Sequence, residues 1–97
     1  MSTIMDGATN IGHDVRIVFT SWNRHDRAGL LHEHPTGNGD ERHVGGIMFD
    51  LPGVADNFPD KPLWTVEQWD SLTISPSIHC LDCGHHGWIR DGEWVPA

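Results

Sequence analysis

Residues 80–94 read Cys-Leu-Asp-Cys-Gly-His-His-Gly-Trp-Ile-Arg-Asp-Gly-Glu-Trp, and the prediction of the fold starts from them. Two cysteines separated by two residues are typical of a turn that binds a zinc ion through two thiolates. Gly84, which follows directly, can take a backbone conformation that is closed to other residues. The sequence therefore predicts a zinc knuckle formed by Cys80 and Cys83.

A β-hairpin is predicted directly after the knuckle. Asp91-Gly92 is typical of a two-residue type I′ turn, because both residues tolerate the positive φ that this turn requires. Cross-strand pairs of opposite charge or of aromatic and aliphatic side chains each stabilise a hairpin by about 0.2–1 kcal/mol. The register that this turn sets pairs Arg90 with Glu93, Ile89 with Trp94, and Trp88 with Val95.

The rest of the chain favours short strands over helices. It has 97 residues with 11 glycines and 6 prolines, which suits one small domain with many turns. Apolar residues alternate in residues 15–20 and again in residues 44–51, as they do in half-buried strands. We therefore predict a mostly β, single-domain protein over residues 1–97, with a small antiparallel sheet, the zinc knuckle and the C-terminal hairpin.

Two segments are predicted to lie outside the sheet. Residues 1–14 are polar and contain glycine, which is typical of a loose N-terminal arm. Residues 21–42 contain many charges and a Pro-Thr-Gly-Asn-Gly-Asp cluster, which favours a long polar loop. His32-Glu33-His34 falls in this loop and is interpreted as solvated surface, because it lacks the i, i+4 histidine spacing of metalloprotease helices.

Charge and hydropathy limit the classes of partner. Six Lys and Arg against 14 Asp and Glu give a net charge of −8, so the chain would repel nucleic acid at long range. No signal peptide and no apolar run of about 18–20 residues is found. We expect a protein that is neither secreted nor membrane-spanning, in a reducing compartment where paired cysteines bind metal more often than they form a disulfide.

The knuckle requires further ligands from among eight histidines. His86 is the first choice for the third ligand, because it follows Cys83 after two residues. His43 is predicted as the fourth ligand. A redox role for the cysteines is disfavoured, since residues 84–87 are a poor helix start and such pairs depend on a helix N-terminus. The other histidines considered for the fourth position are His79, His32 and His34.

The C-terminal quarter also resembles a known family. Its Ser-Pro-Ser segment at residues 75–77, the Cys-x-x-Cys-Gly turn, the His-Gly-aromatic step at residues 86–88 and the Arg-Asp-Gly hairpin resemble an uncharacterised family of small proteins encoded by bacteriophages of actinobacteria. The resemblance implies a phage origin and a zinc site, with Cys80, Cys83 and His86 at the matching ligand positions. It implies no activity.

These observations predict a small phage protein that is stabilised by a structural Zn²⁺ and acts as a protein-binding or assembly module. Its partner would be a virion component or a host factor, its location the host cytoplasm or the virion, and a homo-oligomer is left open. The alternative is a zinc-dependent hydrolase with an open metal site and Glu33, Glu41 or Asp82 as the base. A weaker alternative is a zinc knuckle that binds nucleic acid.

Overall fold

The computed structural model describes residues 7–22, 24–37, 39–57, 60, 62–81 and 83–97. The described part of the chain is mostly β, and all its strand pairs are antiparallel, as predicted. One helical turn, α1 (Val54–Asn57), follows the fourth strand. The strands are β1 (Thr9–Asn10), β2 (Arg16–Trp22), β3 (His25–Pro35), β4 (Arg42–Met48), β5 (Thr65–Gln68), β6 (Thr73–Ser75), β7 (Ile78–His79), β8 (His86–Arg90) and β9 (Glu93–Pro96).

The strands form three small sheets around one core. Their orders are β1-β2-β3-β4, β5-β6 and β7-β8-β9, so β4 and β7 are both edge strands. The core draws side chains from all three sheets, because each sheet has only one face to bury. Its fully buried members include Leu30 of β3, Ile74 of β6 and Ile89 of β8, together with Val15 and Phe49.

The prediction of a long polar loop over residues 21–42 is wrong. The structure places the eleven-residue strand β3 within this segment, paired with β2 on one side and β4 on the other. Leu30, His32 and His34 alternate along β3 and are buried on the same face, with exposures of 0%, 5% and 1%. Two of these inward positions are histidines. Apolar residues therefore do not alternate over the whole of β3, and the sequence pattern did not predict a central strand.

The N-terminal segment is bound to the sheet where it is described. Residues 1–6 of the predicted arm lie outside the described part of the chain. From there β1 pairs with β2, and Ile11 is 6% exposed within the core. The carbonyl oxygen of Ile11 accepts a 2.8 Å hydrogen bond from the backbone of Trp94. Residues 9–11 thus join the first sheet to the C-terminal hairpin.

The C-terminal hairpin is confirmed in its predicted register. β8 and β9 pair Arg90 with Glu93, Ile89 with Trp94 and Trp88 with Val95. The turn residues Asp91 and Gly92 have φ values of 51° and 75°, as a type I′ turn requires. Local turn chemistry was therefore sufficient to predict this element.

One buried carboxylate organises the outer face of the first sheet. Glu33 of β3 accepts hydrogen bonds from Arg16 of β2 and, at 2.7 Å, from Arg42 of β4. Arg42 also donates to Asp14 at 3.0 Å. The hydrogen bond from Arg16 is the main cause that lowers the pKa of Glu33 below its ordinary value of 4.5. Glu33 therefore ties three neighbouring strands together in its ionised form.

Replacing Glu33 with Gln is expected to lower the free energy of unfolding at pH 7 by about 1–3 kcal/mol, because two arginines lose their charged partner. Since the folded-state pKa is depressed, this stabilisation is complete above about pH 4.5 and is lost as the pH falls through the folded value. Denaturant unfolding from pH 7 to pH 3 should show the parent and Glu33→Gln converging in acid. Glu67→Gln, at an exposed position of β5, is the control; parallel pH profiles for Glu33→Gln and the parent would contradict the prediction.

Candidate functional site

Four side chains from distant parts of the chain meet at one end of the first sheet. His34 of β3, His43 of β4, Cys80 and Cys83 each offer one ligand atom, and these atoms all lie within 4.8 Å of one another. His34 and His43 are directly opposite in the β3–β4 register, so their imidazoles share the inner face. The cysteines belong to the turn between β7 and β8. The cluster is compatible with a metal site.

The distances in the cluster suit a tetrahedral ion. Cys83 Sγ lies 3.4 Å from His34 Nε2, and Cys80 Sγ lies 3.6 Å from His43 Nδ1. A tetrahedral zinc with its usual bond lengths to sulfur and nitrogen places such atoms about 3.6 Å apart. The turn itself is held by hydrogen bonds from Cys80 N to His85 O at 2.7 Å and from Gly84 N to Cys80 O at 2.8 Å. Gly84 has a φ of 78°, as the sequence indicated.

The surroundings keep His34 ready to act as a ligand. Burial is the main cause that lowers its pKa to about 4, and the neighbouring His85 and His43 lower it further. The imidazole is therefore neutral at pH 7, and a neutral nitrogen is what a metal requires. The ring of His85 stacks on that of His34 at 4.3 Å, and the ring of Trp94 stacks on His85 at 4.9 Å. This stack fixes the plane of the His34 ring.

His43 has an acidic partner on its far side. Its Nε2 lies 3.5 Å from Glu41 Oε1, while its Nδ1 faces Cys80. A carboxylate that accepts a hydrogen bond from one nitrogen of a histidine ligand orients the ring. It also raises the basicity of the other nitrogen, which then binds a metal more strongly. Glu41 thus supports His43.

His86, predicted as the third ligand, lies outside this cluster. Its Nε2 is 2.7 Å from the hydroxyl oxygen of Ser77. Adjacent residues of a strand point to opposite faces, so His85 and His86 cannot both face the cluster. His85 lies against His34, whereas His86 shares a face with His79 and Trp88, with ring centroids 4.8 and 5.7 Å away. Ser77 and His86 are both half-buried.

Strand pairing positions Ser77 against His86. In the β7–β8 register Ile78 is opposite Gly87 and His79 is opposite His86. Ser77 lies two residues before His79, the partner of His86, so its side chain is diagonal to His86 on the same face. The indole N–H of Trp64 donates to Ser77 O at 3.3 Å, which holds the backbone of Ser77 from the other side. No pattern in the sequence singled out Ser77 as a functional residue, although its Ser-Pro-Ser segment was part of the resemblance.

The cluster and the Ser–His pair share one structural unit. Cys80 follows β7, Cys83 precedes β8, and the loop between these strands closes the hairpin that carries Ser77 and His86. Holding the two sulfurs together therefore holds β7 against β8. Any loss of order in the loop is expected to spread to the 2.7 Å contact between Ser77 and His86.

Of the other residues considered for the site, those that the structure describes are not among the four side chains of the cluster. Glu33 points to the outer face, where it bonds to Arg16 and Arg42. Glu41 is paired with His43. Asp82 lies outside the described residues. His32 is buried beside His34, with a ring-centroid distance of 5.4 Å, and burial is the main cause that lowers its pKa to about 4.

The fold and site define a small antiparallel β protein with a Cys₂His₂ cluster and a neighbouring Ser–His pair. Residues 19–97 match the family model of BubE, described as bacterial ubiquitination-like system serine protease. Because this match covers most of the chain, the protein belongs to the BubE family. Searches of curated proteins and of solved structures gave no match. In the described residues, no helix is long and apolar enough to cross a membrane.

These findings correct two predictions. A role as a phage protein-binding or assembly module is wrong, because the family is described as a serine protease of a bacterial system. The alternative of a hydrolase agrees better with the family, though not in its zinc-dependent form. The chain does belong to a small-domain family, as the resemblance implied, but the comparisons show no link to phages.

Proposed function

We propose that this protein is a serine peptidase in which Ser77 is the nucleophile and His86 the general base. The observation that carries the proposal is the 2.7 Å distance between Ser77 Oγ and His86 Nε2. Nucleophile and base must lie within hydrogen-bond reach, and about 2.6–3.2 Å is the usual range. The description of the BubE family as a serine protease of a bacterial ubiquitination-like system supports cleavage of an amide bond in a protein.

The reaction that this pair performs has two halves. Ser77 Oγ attacks the carbonyl carbon of the substrate while its proton passes to His86 Nε2. His86 then gives this proton to the leaving nitrogen, the C–N bond breaks, and the acyl group remains on Ser77 as an ester. In the second half a water attacks the ester, with His86 accepting its proton and returning it to Ser77 Oγ. The products are a carboxylic acid and an amine.

We propose Zn²⁺ as the ion of the cluster, with His34, His43, Cys80 and Cys83 as its ligands. Two sulfurs and two imidazole nitrogens are the donor set of many structural zinc sites. When bound, the ion supplies a rigid cross-link between β3, β4 and the β7–β8 turn. Four protein ligands leave no coordination position for a substrate. The catalytic chemistry is therefore assigned to Ser77 and His86, and the cluster holds their strands in place.

Treating the protein with a fluorophosphonate is expected to add one phosphonyl group, because this reagent reacts with a serine that a base activates. Intact-mass measurement and peptide mapping should place the adduct on Ser77. His86→Ala should label at least about 100-fold more slowly, since removing a positioned general base costs that much. Ser75→Ala, two residues upstream, is the matched control and should label like the parent. An unlabelled parent protein, or an adduct on another serine, would contradict the proposal.

A further inference from the structure

A cleft with a volume of about 360 Å³ lies between the edge strands β4 and β7. One side is formed by residues 42–47 of β4 and the other by Trp64, Ile78 and His79, while His32 contributes from β3. His34 and Cys80 also line it, so the Cys₂His₂ cluster lies at one end of the cleft. Ser77 immediately precedes Ile78, and its carbonyl oxygen is bonded to the indole of Trp64. Ser77, the nucleophile of the proposed peptidase, is therefore adjacent to two residues that line the cleft.

The β4 side of this cleft has backbone groups that are free to bind. Met48 O accepts a hydrogen bond from Trp64 N at 2.9 Å, so the backbone N–H and C=O groups of Met48 face away from β3. Backbone groups alternate in direction along a strand, and the N–H and C=O groups of Val44 and Gly46 therefore face the same way. Outside the sheet, no described residue bonds to the backbone of Val44 or Gly46.

The β7 side has a free position as well. Cys80 N donates to His85 O at 2.7 Å, so the backbone groups of Cys80 face β8. The same alternation turns the backbone of His79 away from β8 and towards the cleft. Among the described residues, two sheet edges thus present to one space backbone groups that no neighbouring strand pairs with. An exposed edge is the usual docking place for an extended peptide, which binds by adding a strand.

Two glycines shape the β4 edge. A Cβ at Gly45 would lie 2.7 Å from His32 Nε2, so this position has room only for glycine. At Gly46 the nearest atom to such a Cβ is Leu31 Cδ2, at 3.4 Å, which is ordinary contact. Gly46 therefore has no packing reason to be glycine, and its bare backbone leaves the edge open. Beside it, Ile47, Trp64 and Ile78 provide an apolar wall for a side chain.

We propose that the substrate binds in this cleft as an extended peptide segment, which adds a strand to the β4 edge and brings its scissile carbonyl to Ser77. The inference rests on the proposed function and specifies how its substrate is recognised. Val44 and Gly46 bind the backbone of the segment, so recognition depends on its extended conformation more than on its side chains. The apolar wall selects the side chain that faces it.

The first test varies the substrate and leaves the protein intact. A fluorogenic peptide library with a coumarin leaving group identifies a substrate that the parent protein cleaves. This peptide is then N-methylated at one backbone nitrogen at a time. Methylation at alternate positions, where the N–H would face β4, should lower kcat/KM about tenfold or more, and methylation between them should have little effect. A loss that shows no alternation would overturn the inference.

The second test varies the protein at the edge. Gly46→Pro removes the N–H, whereas Gly46→Ala retains it, and proline is tolerated at strand edges whose N–H faces outward. We expect kcat/KM of Gly46→Pro to be about tenfold or more below that of Gly46→Ala, mostly through KM. Equal kcat/KM values for the two variants would overturn the inference. A parent protein that labels with fluorophosphonate but cleaves no peptide would also overturn it. In both cases labelling of Ser77 would still support the proposed dyad. If the parent does not label, the proposed function fails and the inference with it. The N-methylated peptides decide the question if Gly46→Pro does not fold.

Discussion

Ser77→Ala and His86→Ala are each expected to lower kcat/KM for peptide cleavage by about 10³-fold or more, because each removes one member of a pair that acts as a unit. The double variant should be little worse than either single variant, since the remaining partner has no function alone. Steady-state cleavage of the best library peptide is the measurement. The effect is large because attack and protonation of the leaving nitrogen both depend on the 2.7 Å contact.

Folding and catalysis can be separated in the same variants. Ser77 and His86 are half-buried, so losing their hydrogen bond should cost only about 1 kcal/mol of the free energy of unfolding. Thermal melting should therefore leave both variants folded under assay conditions. His25→Ala is the control for loss of an imidazole, because His25 is half-buried like His86 and bonds to Pro52 O at 2.6 Å. Losses from Ser77→Ala and His86→Ala that multiply in the double variant would indicate two independent roles and contradict a dyad.

The local parts of the fold were predictable from the sequence. Asp91-Gly92 determines its own turn, and the turn determines the register of β8 and β9 without help from the rest of the chain. β3 was not predictable in this way. It is stabilised by pairing with two other strands and by burying His32 and His34, which a pattern of apolar residues does not reveal.

The candidate site could be predicted only in part, because its members meet through long-range contacts. His34 and Cys83 are 49 positions apart and lie together only after β3 and the knuckle turn have formed. Proximity in sequence favoured His86 as a partner of Cys83. The alternation of β8 turns His86 to Ser77 and leaves His85 beside the cluster. A difference of one residue along a strand thus separates a proposed metal site from a proposed catalytic base.

Cys80→Ser and Cys83→Ser are each expected to lose the proposed zinc and to unfold, because binding free energy at such a site is folding free energy. This contribution is on the order of 10 kcal/mol in small zinc domains, comparable with the whole stability of about 5–15 kcal/mol for a small protein. Metal analysis of untagged protein and thermal melting are the measurements. Leu81→Ser, at a position that is 87% exposed in the same turn, is the control and should keep both metal and fold.

His34 and His86 have been assigned to the metal on different grounds, and replacing each of them should give opposite results in the metal analysis. If His34 and His43 are ligands, His34→Ala should lose zinc and unfold, while His86→Ala should retain one zinc per chain and lose only peptide cleavage. Chelation of the parent should abolish cleavage together with the folded baseline, because in the proposed site the ion holds the β7–β8 turn and takes no part in the reaction. Zinc retained in His34→Ala, or a chelated protein that stays folded and active, would contradict a structural site. Loss of zinc from His86→Ala would return His86 to the metal and remove it from the proposed dyad.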